Sequence, residues 1–186
     1  GETGNVAIGS FAMSAANDTG ATENVVIGAY AGSSGAGGAF KRNIAIGKNA
    51  LNSTGNANIQ GAIAIGYNAG TAINHVNAQS STLVGYLAGS SITSGAGNVA
   101  IGYEAGEDIT TGYYNTIVGY EAGENLATGY SNVFMGHEAG SGKVSTIGAI
   151  AIGYRAGLPN AASYDIFMGY EAGAQTKGGG NLGIGR

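Results

Sequence analysis

Carboxylates recur at fixed intervals in the second half of the chain. Glu104, Glu121 and Glu138 are evenly spaced, and each directly follows an aromatic residue. A row of carboxylates suggests cation binding, but Ca²⁺ takes about six to eight oxygen ligands. One carboxylate per repeat supplies too few, and the calcium-roll signature G-G-x-G-x-D is absent. We therefore predict no metal site, and expect a solvated acidic edge on which Glu138, Arg155 and Glu171 could pair.

The aromatic residues before these acids define a second set. One sequence position holds Tyr67, Tyr86, Tyr103, Tyr120, Tyr154 and Tyr170, with His137 in the same series. One interpretation is a stacked aromatic column that covers a corner of the fold and stiffens it. The other is a flat aromatic strip that, with the three glutamates, forms a contact surface for a glycan or a protein. The sequence leaves both open.

Groups that could carry catalysis are sparse. The two histidines are His75, in a polar linker, and His137, in the aromatic series. The chain has no cysteine and no G-x-S-x-G, H-E-x-x-H or Walker sequence, and its G-x-G strings lack the strand-to-helix context of phosphate-binding loops. We expect no enzymatic activity and no cofactor.

All these residues belong to a repeat whose clearest copy is Gly97–Gly106, G-N-V-A-I-G-Y-E-A-G. We call the glycine after the isoleucine the marker glycine, which is Gly102 in this copy. The marker glycines are Gly9, Gly28, Gly47, Gly66, Gly85, Gly102, Gly119, Gly136, Gly153, Gly169 and Gly185. Their sequence separation steps from 19 to 17 to 16, which is typical of a solenoid built from stacked units. Residues 1–186 therefore form one repeat array, which begins and ends inside the repeat and is expected to be part of something longer.

Each copy predicts a β-strand of about five to six residues before the marker glycine. The residues one and three before the marker, Ile101 and Val99 in the clearest copy, are predicted to point into the coil. The residue between them is then predicted to point outward, yet it is apolar. Such a row would be an exposed apolar stripe, which soluble monomers avoid, so it predicts self-association. The predicted interface residues are Val26, Leu83, Ala100, Ile117, Phe134 and Phe167.

Two further positions predict structure rather than chemistry. Asparagine stands four before the marker at Asn5, Asn24, Asn43, Asn98, Asn115, Asn132 and Asn181, which predicts an amide ladder, with Ser81 and Asp165 as poorer substitutes. Alanine stands three after every marker that the chain extends beyond, and glycine usually follows it. This predicts a tight corner with φ > 0 at the glycine.

Composition narrows the function classes. Only 10% of residues are charged and the formal net charge is −4, with no basic cluster, so nucleic-acid binding is not expected. No apolar run approaches the length of a membrane span. A glycan-processing solenoid would need clustered acids in a groove, and an ice-binding one a regular threonine lattice; the sequence has neither.

The N-x-A-I-G strands and small-residue corners resemble the YadA-like head repeats of trimeric autotransporter adhesins over essentially the whole chain. The resemblance implies an all-β, left-handed parallel β-roll of about eleven coils, assembled as a homotrimer. It also implies a rigid, non-enzymatic segment of a bacterial surface fibre that mediates or presents adhesion to host cells, matrix or glycans. The repeats of this chain are longer than is usual in that family. The G-Y-x-A-G pattern is also similar to bacteriophage tail-fibre shafts, so a fibre segment that supports receptor binding is the alternative.

Overall fold

The computed structural model describes residues 4–14, 20–33, 39–52, 58–74, 79–142, 144–158, 162–174 and 176–185. These residues contain thirteen β-strands and no helix. The strands are β1 (Val6–Ile8), β2 (Val25–Ile27), β3 (Phe40–Lys41), β4 (Ile44–Ile46), β5 (Ile59–Gln60), β6 (Ile63–Ile65), β7 (Thr82–Val84), β8 (Val99–Ile101), β9 (Thr116–Val118), β10 (Val133–Met135), β11 (Ile150–Ile152), β12 (Ile166–Met168) and β13 (Leu182–Ile184).

Eleven of these strands form one parallel sheet, in which each repeat pairs with the next. The strand order is β1-β2-β4-β6-β7-β8-β9-β10-β11-β12-β13, and β3 pairs with β5 in a second, two-stranded sheet. The register follows the repeat: in β8 and β9, Ala100 lies opposite Ile117. The predicted all-β parallel solenoid is therefore confirmed. Equivalent residues of successive repeats lie in columns, about 4.8 Å apart per rung.

The strands of the main sheet are three residues long, shorter than predicted. Each is bounded by positive φ, at the marker glycine (φ 138° at Gly102) and five residues before it (φ 63° at Gly97). The asparagine that lies between these two positions uses its side-chain amide in the hydrogen-bonded ladder described below. Wherever the chain extends beyond the marker, the residue two after it also has positive φ, although it is never glycine; φ is 52° at Glu104. The coil thus closes through left-handed backbone at fixed positions.

The predicted direction of the strand faces is wrong. Val26, Leu83, Ala100, Ile117, Phe134 and Phe167, which were predicted to point outward, are all 0% exposed within a single chain. Their neighbours on either side, such as Val99 and Ile101, are half-buried or exposed instead. The predicted interface residues are therefore the core of the coil and have no surface left to offer a second chain.

The physical reason is the width of the coil. Its interior accepts one strand column, because backbone from the opposite corner lies directly beneath the central residue. A Cβ added at Gly89 would lie 2.7 Å from a methyl group of Leu83, and one added at Gly140 would overlap the ring of Phe134. Two columns of isoleucine or valine would not fit in this space, so they face outward.

Residues outside the main-sheet strands also fill the interior of the coil. Where the central strand residue is small, at Ala45 and Ala64, the interior is filled by Phe40, Leu51 and Ile59, which are at most 1% exposed. The residue seven after the marker also lies in the interior, at Ile73 and Ile109 in copies with a central alanine and at Ile92 and Leu126 in copies with a larger central residue, and all four are completely buried. Interiors pack at crystal-like density, so a change at one position requires compensation at another.

The predicted corner is confirmed. The alanines three after the marker are buried from the second copy onward, and Ala105 is 0% exposed. The glycine that follows has positive φ, 57° at Gly106 and 62° at Gly123. In the third copy Leu51 holds this position with φ 49° and points into the core.

One core hydroxyl gives a testable expectation. Thr146 is 1% exposed, and its Oγ1 has no hydrogen-bond partner within the described parts of the chain. Replacing it with valine keeps the shape and removes the desolvated hydroxyl, so Thr146→Val should raise the free energy of unfolding by about 1 kcal/mol. Urea unfolding followed by circular dichroism at fixed chain concentration measures this. Thr146→Ser, which keeps the hydroxyl and loses a methyl, should unfold earlier than wild type; a less stable valine variant would contradict the expectation.

Candidate functional site

The aromatic series forms a continuous stack, which we call the tyrosine column. It consists of Tyr67, Tyr86, Tyr103, Tyr120, His137, Tyr154 and Tyr170. Successive ring centroids lie 4.9 to 5.3 Å apart. The rings are close to parallel, at 6° between Tyr86 and Tyr103 and 27° between His137 and Tyr154. The predicted stacking is confirmed, and it arises because each ring follows a marker glycine and so repeats once per rung.

Stacking limits what the tyrosine column can bind. Each internal ring has both faces against its neighbours, so its edge and hydroxyl form most of the exposed 39% to 50% of each tyrosine. Sugars usually contact tyrosine through the ring face, and that face is occupied here. At the N-terminal end, the Lys48 ammonium lies 6.0 Å from the Tyr67 centroid. The column therefore presents hydroxyls and ring edges rather than an open aromatic platform.

Beside it runs the glutamate column, made of Glu104, Glu121, Glu138, Arg155 and Glu171. Arg155 Nε lies 2.7 Å from Glu138 Oε2, which confirms one of the two predicted pairs. The pKa of Arg155 is raised, chiefly by the charge of Glu138 and to a smaller extent by Glu171. The surface pair is expected to add little stability.

The glutamates also raise the pKa values of their tyrosine neighbours. A hydrogen bond to the Glu104 carboxylate, followed by desolvation and nearby negative charge, raises the pKa of Tyr103 to about 12. The same arrangement with Glu121 raises the pKa of Tyr120. Both phenols remain protonated donors at neutral pH. Together the two columns make a hydrogen-bonded strip of fixed geometry.

Acidity is concentrated on two adjacent coils. Burial, followed by the charges of Glu104 and Asp108 and then of Glu124 and Glu121, raises the pKa of Glu107. The hydroxyl of Ser141 donates to Glu124 at 3.3 Å. Among the described residues, no group of three or more histidine or carboxylate side chains is arranged to hold a metal ion. This surface is negatively charged and solvated.

Behind the strands lies the asparagine ladder, which the structure confirms. Asn115 Nδ2 donates to Asn98 Oδ1 at 3.1 Å and to the Gly129 carbonyl at 2.9 Å. Its own Oδ1 accepts from the backbone and side-chain nitrogens of Asn132, at 3.1 and 2.9 Å. The five central asparagines are completely buried. They bind rung to rung and are not available to a ligand.

The substitutes in this column behave differently from each other. Ser81 Oγ accepts from the Asn98 backbone at 3.2 Å. Asp165, completely buried, accepts three bonds: from the backbone of Ala162 at 2.7 Å and from the backbone and side chain of Asn181 at 2.8 and 2.9 Å. Its geometry is not poorer than that of asparagine, because the preceding rung holds Ala149 and presents no competing acceptor.

The surface that sequence reasoning misplaced is the outer side of the main sheet. We call it the apolar face and define it as the first and last residues of all its strands, that is of every strand except β3 and β5. Only Thr82 and Thr116 among them are polar. The end residue is 38% exposed at Ile101, 40% at Met135 and 41% at Met168. The near-uniform isoleucine and valine of these two columns is the sequence feature that indicates this face.

The remaining predicted residues form no second site within the described part of the chain. His75 lies outside the described residues, and His137 stands in the tyrosine column with its Nδ1 3.4 Å from Glu138 Oε1. The described parts contain no helix of a length and apolarity that could span a membrane. Comparison of the chain with family models, with curated proteins and with solved structures finds no significant match.

Proposed function

We propose that this chain is a rigid, non-enzymatic segment of a homotrimeric surface fibre that presents or mediates adhesion. The observation that carries the proposal is the apolar face, which runs along all eleven strands of the main sheet and is interrupted only by Thr82 and Thr116. Eleven rungs at about 4.8 Å give a strip on the order of 50 Å long. Monomeric soluble proteins rarely expose a contiguous apolar surface of more than a few hundred Å², so a partner covers it.

The occupant we propose is the same face of two further copies around an axis parallel to the rod. Parallel packing keeps the rungs of all chains level, so the apolar columns meet along their full length. The number three and a left-handed coil come from the resemblance to YadA-like head repeats. Self-association, predicted from the central strand residues, is thus assigned to their two neighbours instead.

Rigidity supports a fibre role. The sheet, the asparagine ladder and the tyrosine column all repeat along one axis, and each coil contacts its neighbours through backbone hydrogen bonds such as Gly119 N to Ile101 O at 2.8 Å. In such an array stability is the sum of repeat and interface terms. The outward columns of polar residues then face solvent and any host surface.

A pair of residues on β8 and β10, two rungs apart on the apolar face, tests the assembly. The double variant Ile101→Asp/Met135→Asp places charges on this face, so it should abolish the trimer while strand content in circular dichroism is retained. Phe134→Asp buries a charge inside the coil and should instead unfold that region. Light scattering measures the mass, and wild type is expected at three times the 18.2 kDa of one chain.

Ser131→Asp is the matched control, because Ser131 is exposed on the same coil as Met135 but off the apolar face. It should leave the trimer intact. A wild-type monomer, or a double variant that still assembles, would contradict the proposed interface. Beads coated with wild-type protein should adhere to cultured cells or immobilised matrix above uncoated beads, and equal adhesion would overturn the adhesive role.

A further inference from the structure

A polar cleft lies on the wall of the first, longer coils, away from the columns described so far. It has a volume of about 240 Å³ and is lined by Arg42, Gln60, Gly61, Gln79 and Ser80. These residues come from three successive rungs at the two positions six and five before the marker glycine. The cleft is therefore built by the repeat, yet its side chains occur together only in this part of the array.

The backbone of the cleft is already satisfied, whereas its side chains are not. Gly61 N donates to Lys41 O at 3.1 Å and Ser80 N to Gln60 O at 3.2 Å. Within the described parts of the chain, the side chains of Arg42, Gln60 and Gln79 make no hydrogen bond or ion pair. The two glutamines are half-buried and Arg42 is exposed. A guanidinium and two amides thus line one open space.

Positive φ shapes the floor. Arg42, Gly61 and Ser80 have φ of 56°, 65° and 58°, so the chain turns sharply at the same point on each rung. A side chain at Gly61 would reach to 3.5 Å from Ser80 Oγ, so the absence of one keeps the middle of the cleft open. The stem of Lys41 runs toward Gly20 on the preceding rung, with its Cε at the edge of contact. The Lys41 charge therefore lies on the N-terminal side of the cleft.

We infer that this cleft binds an acidic glycan, with Arg42 holding a uronate carboxylate and Gln60 and Gln79 holding hydroxyls of the same or adjoining sugar units. Guanidinium groups bind carboxylates through two parallel hydrogen bonds. Amides and a serine hydroxyl both donate and accept, which matches sugar hydroxyls, whereas a peptide carboxylate only accepts. The rung spacing of about 4.8 Å is close to the length of one hexose unit in an extended polysaccharide, so successive sugars meet successive rungs.

The inference extends the proposed adhesive role by naming a ligand class, and it depends on that role only for its biological setting. The cleft also provides a place for glycan contact, which the tyrosine column does not, because the ring faces of that column are occupied. The volume suits about one sugar unit, and a single site of this kind binds weakly, so many copies along a fibre would be needed for firm attachment.

The test is a titration of purified wild-type protein with tetragalacturonate, in which binding is measured by isothermal calorimetry or ligand-detected NMR. Saturable binding in the millimolar range or tighter is expected. Arg42→Gln should weaken it about tenfold, and Gln60→Ala/Gln79→Ala by a similar factor, because each removes charge-assisted or hydroxyl bonds in a site shielded on one side. The methyl-esterified tetrasaccharide, which has the same hydroxyls and no charge, should bind more weakly than the acid.

Arg155→Gln is the control for loss of one positive charge, because half-buried Arg155 pairs with Glu138 elsewhere on the rod. It should leave binding unchanged. An equal loss in Arg155→Gln, equal competition by a short polyglutamate, or no saturable binding to wild type would overturn the inference. Failure of the proposed function would be seen separately. If the protein is monomeric and non-adhesive but binds tetragalacturonate, the proposed function is wrong and the cleft assignment stands. If it is an adhesive trimer that does not bind tetragalacturonate, only the cleft assignment is wrong.

Discussion

Gly102→Ala should unfold the middle of the array and lower the free energy of unfolding by more than about 4 kcal/mol. Losses of this size come from severe steric or burial defects. Gly102 has φ 138°, which side-chain-bearing residues rarely adopt. A Cβ at this position would overlap the carbonyl oxygen of Gly119 and lie 2.7 Å from its carbonyl carbon. These are backbone atoms of the next rung, which cannot rotate away as a side chain could.

Relief of that clash requires the two rungs to separate. Separation breaks the ladder bonds that cross the gap, including Gly119 N to Ile101 O at 2.8 Å and Glu121 N to Tyr103 O at 2.9 Å. Because coils contact only their neighbours, the defect should divide the array into two blocks. Hydrogen exchange should then show lost protection in the coils on both sides of Gly102, and urea unfolding should begin at lower concentration.

Two other glycines separate the clash from general effects of alanine. Gly20 has no positive φ and its added Cβ would meet nothing closer than 3.7 Å, so Gly20→Ala should change stability by no more than about 0.5 kcal/mol. Gly61 has φ 65° and no atom closer than 3.5 Å, so Gly61→Ala isolates backbone strain and should cost about 1 kcal/mol. If all three variants unfold together, the stacking explanation is wrong.

The marker glycine shows what the sequence predicts well. A position that needs a close backbone approach or a rung-to-rung hydrogen bond keeps one residue type in most copies, whereas left-handed backbone alone does not, since the residue two after the marker varies. The stack of rungs, the alanine corner, the asparagine ladder and the tyrosine column could all be predicted for this reason. Each is a column in which the neighbour above and the neighbour below impose the same constraint.

The direction of the strand faces could not be predicted in the same way. Val99, Ala100 and Ile101 are all apolar, so a two-residue period gives alternation but not which side is enclosed. The deciding quantity is the interior width, which depends on residues across the coil such as Gly106 and Ile109. The signal lies in variation: the size of the central residue ranges from glycine and alanine to phenylalanine, as in a core, whereas the outer columns stay nearly uniform.

Asn115→Asp should be as damaging as the glycine change, although the two side chains have the same shape. Asn115 is completely buried, and its Nδ2 donates to Asn98 Oδ1 at 3.1 Å and to Gly129 O at 2.9 Å. In the variant both contacts become oxygen against oxygen, around a carboxylate removed from water. An unpaired buried charge costs several kcal/mol, so the expected loss at neutral pH is more than about 4 kcal/mol.

The same ladder contains a natural aspartate that clarifies why the position matters. Asp165 is buried in the same column but accepts from Ala162 N and from both nitrogens of Asn181, with no acceptor side chain on the rung before it. Asp165→Asn would therefore also destabilise the fold, but for the reverse reason: its amide nitrogen would place a donor against another donor, Ala162 N. Aspartate and asparagine are each correct where the surrounding donors and acceptors fit them.

The effect of Asn115→Asp should depend on pH in a definite direction. The new carboxyl is desolvated and faces acceptors, so its pKa in the folded chain lies above the unfolded value of about 3.9. A group with a raised folded pKa stabilises the fold below the unfolded pKa, and that contribution is lost as the pH rises. The stability difference from wild type should be small near pH 3.5, where the protonated acid can donate one bond, and should grow toward pH 7.5.

Paired urea titrations of wild type and Asn115→Asp at the two pH values measure this difference, and acid effects common to both proteins cancel. Asn68→Asp is the matched surface control. The Oδ1 of half-buried Asn68 accepts from Asn49 Nδ2 at 3.0 Å, a role that a carboxylate fills equally well, so its difference from wild type should stay within about 0.5 kcal/mol at both pH values. A penalty for Asn115→Asp that is absent at pH 7.5, or that does not shrink in acid, would mean that the ladder is not held by the directed amide bonds on which the stacking of this solenoid depends.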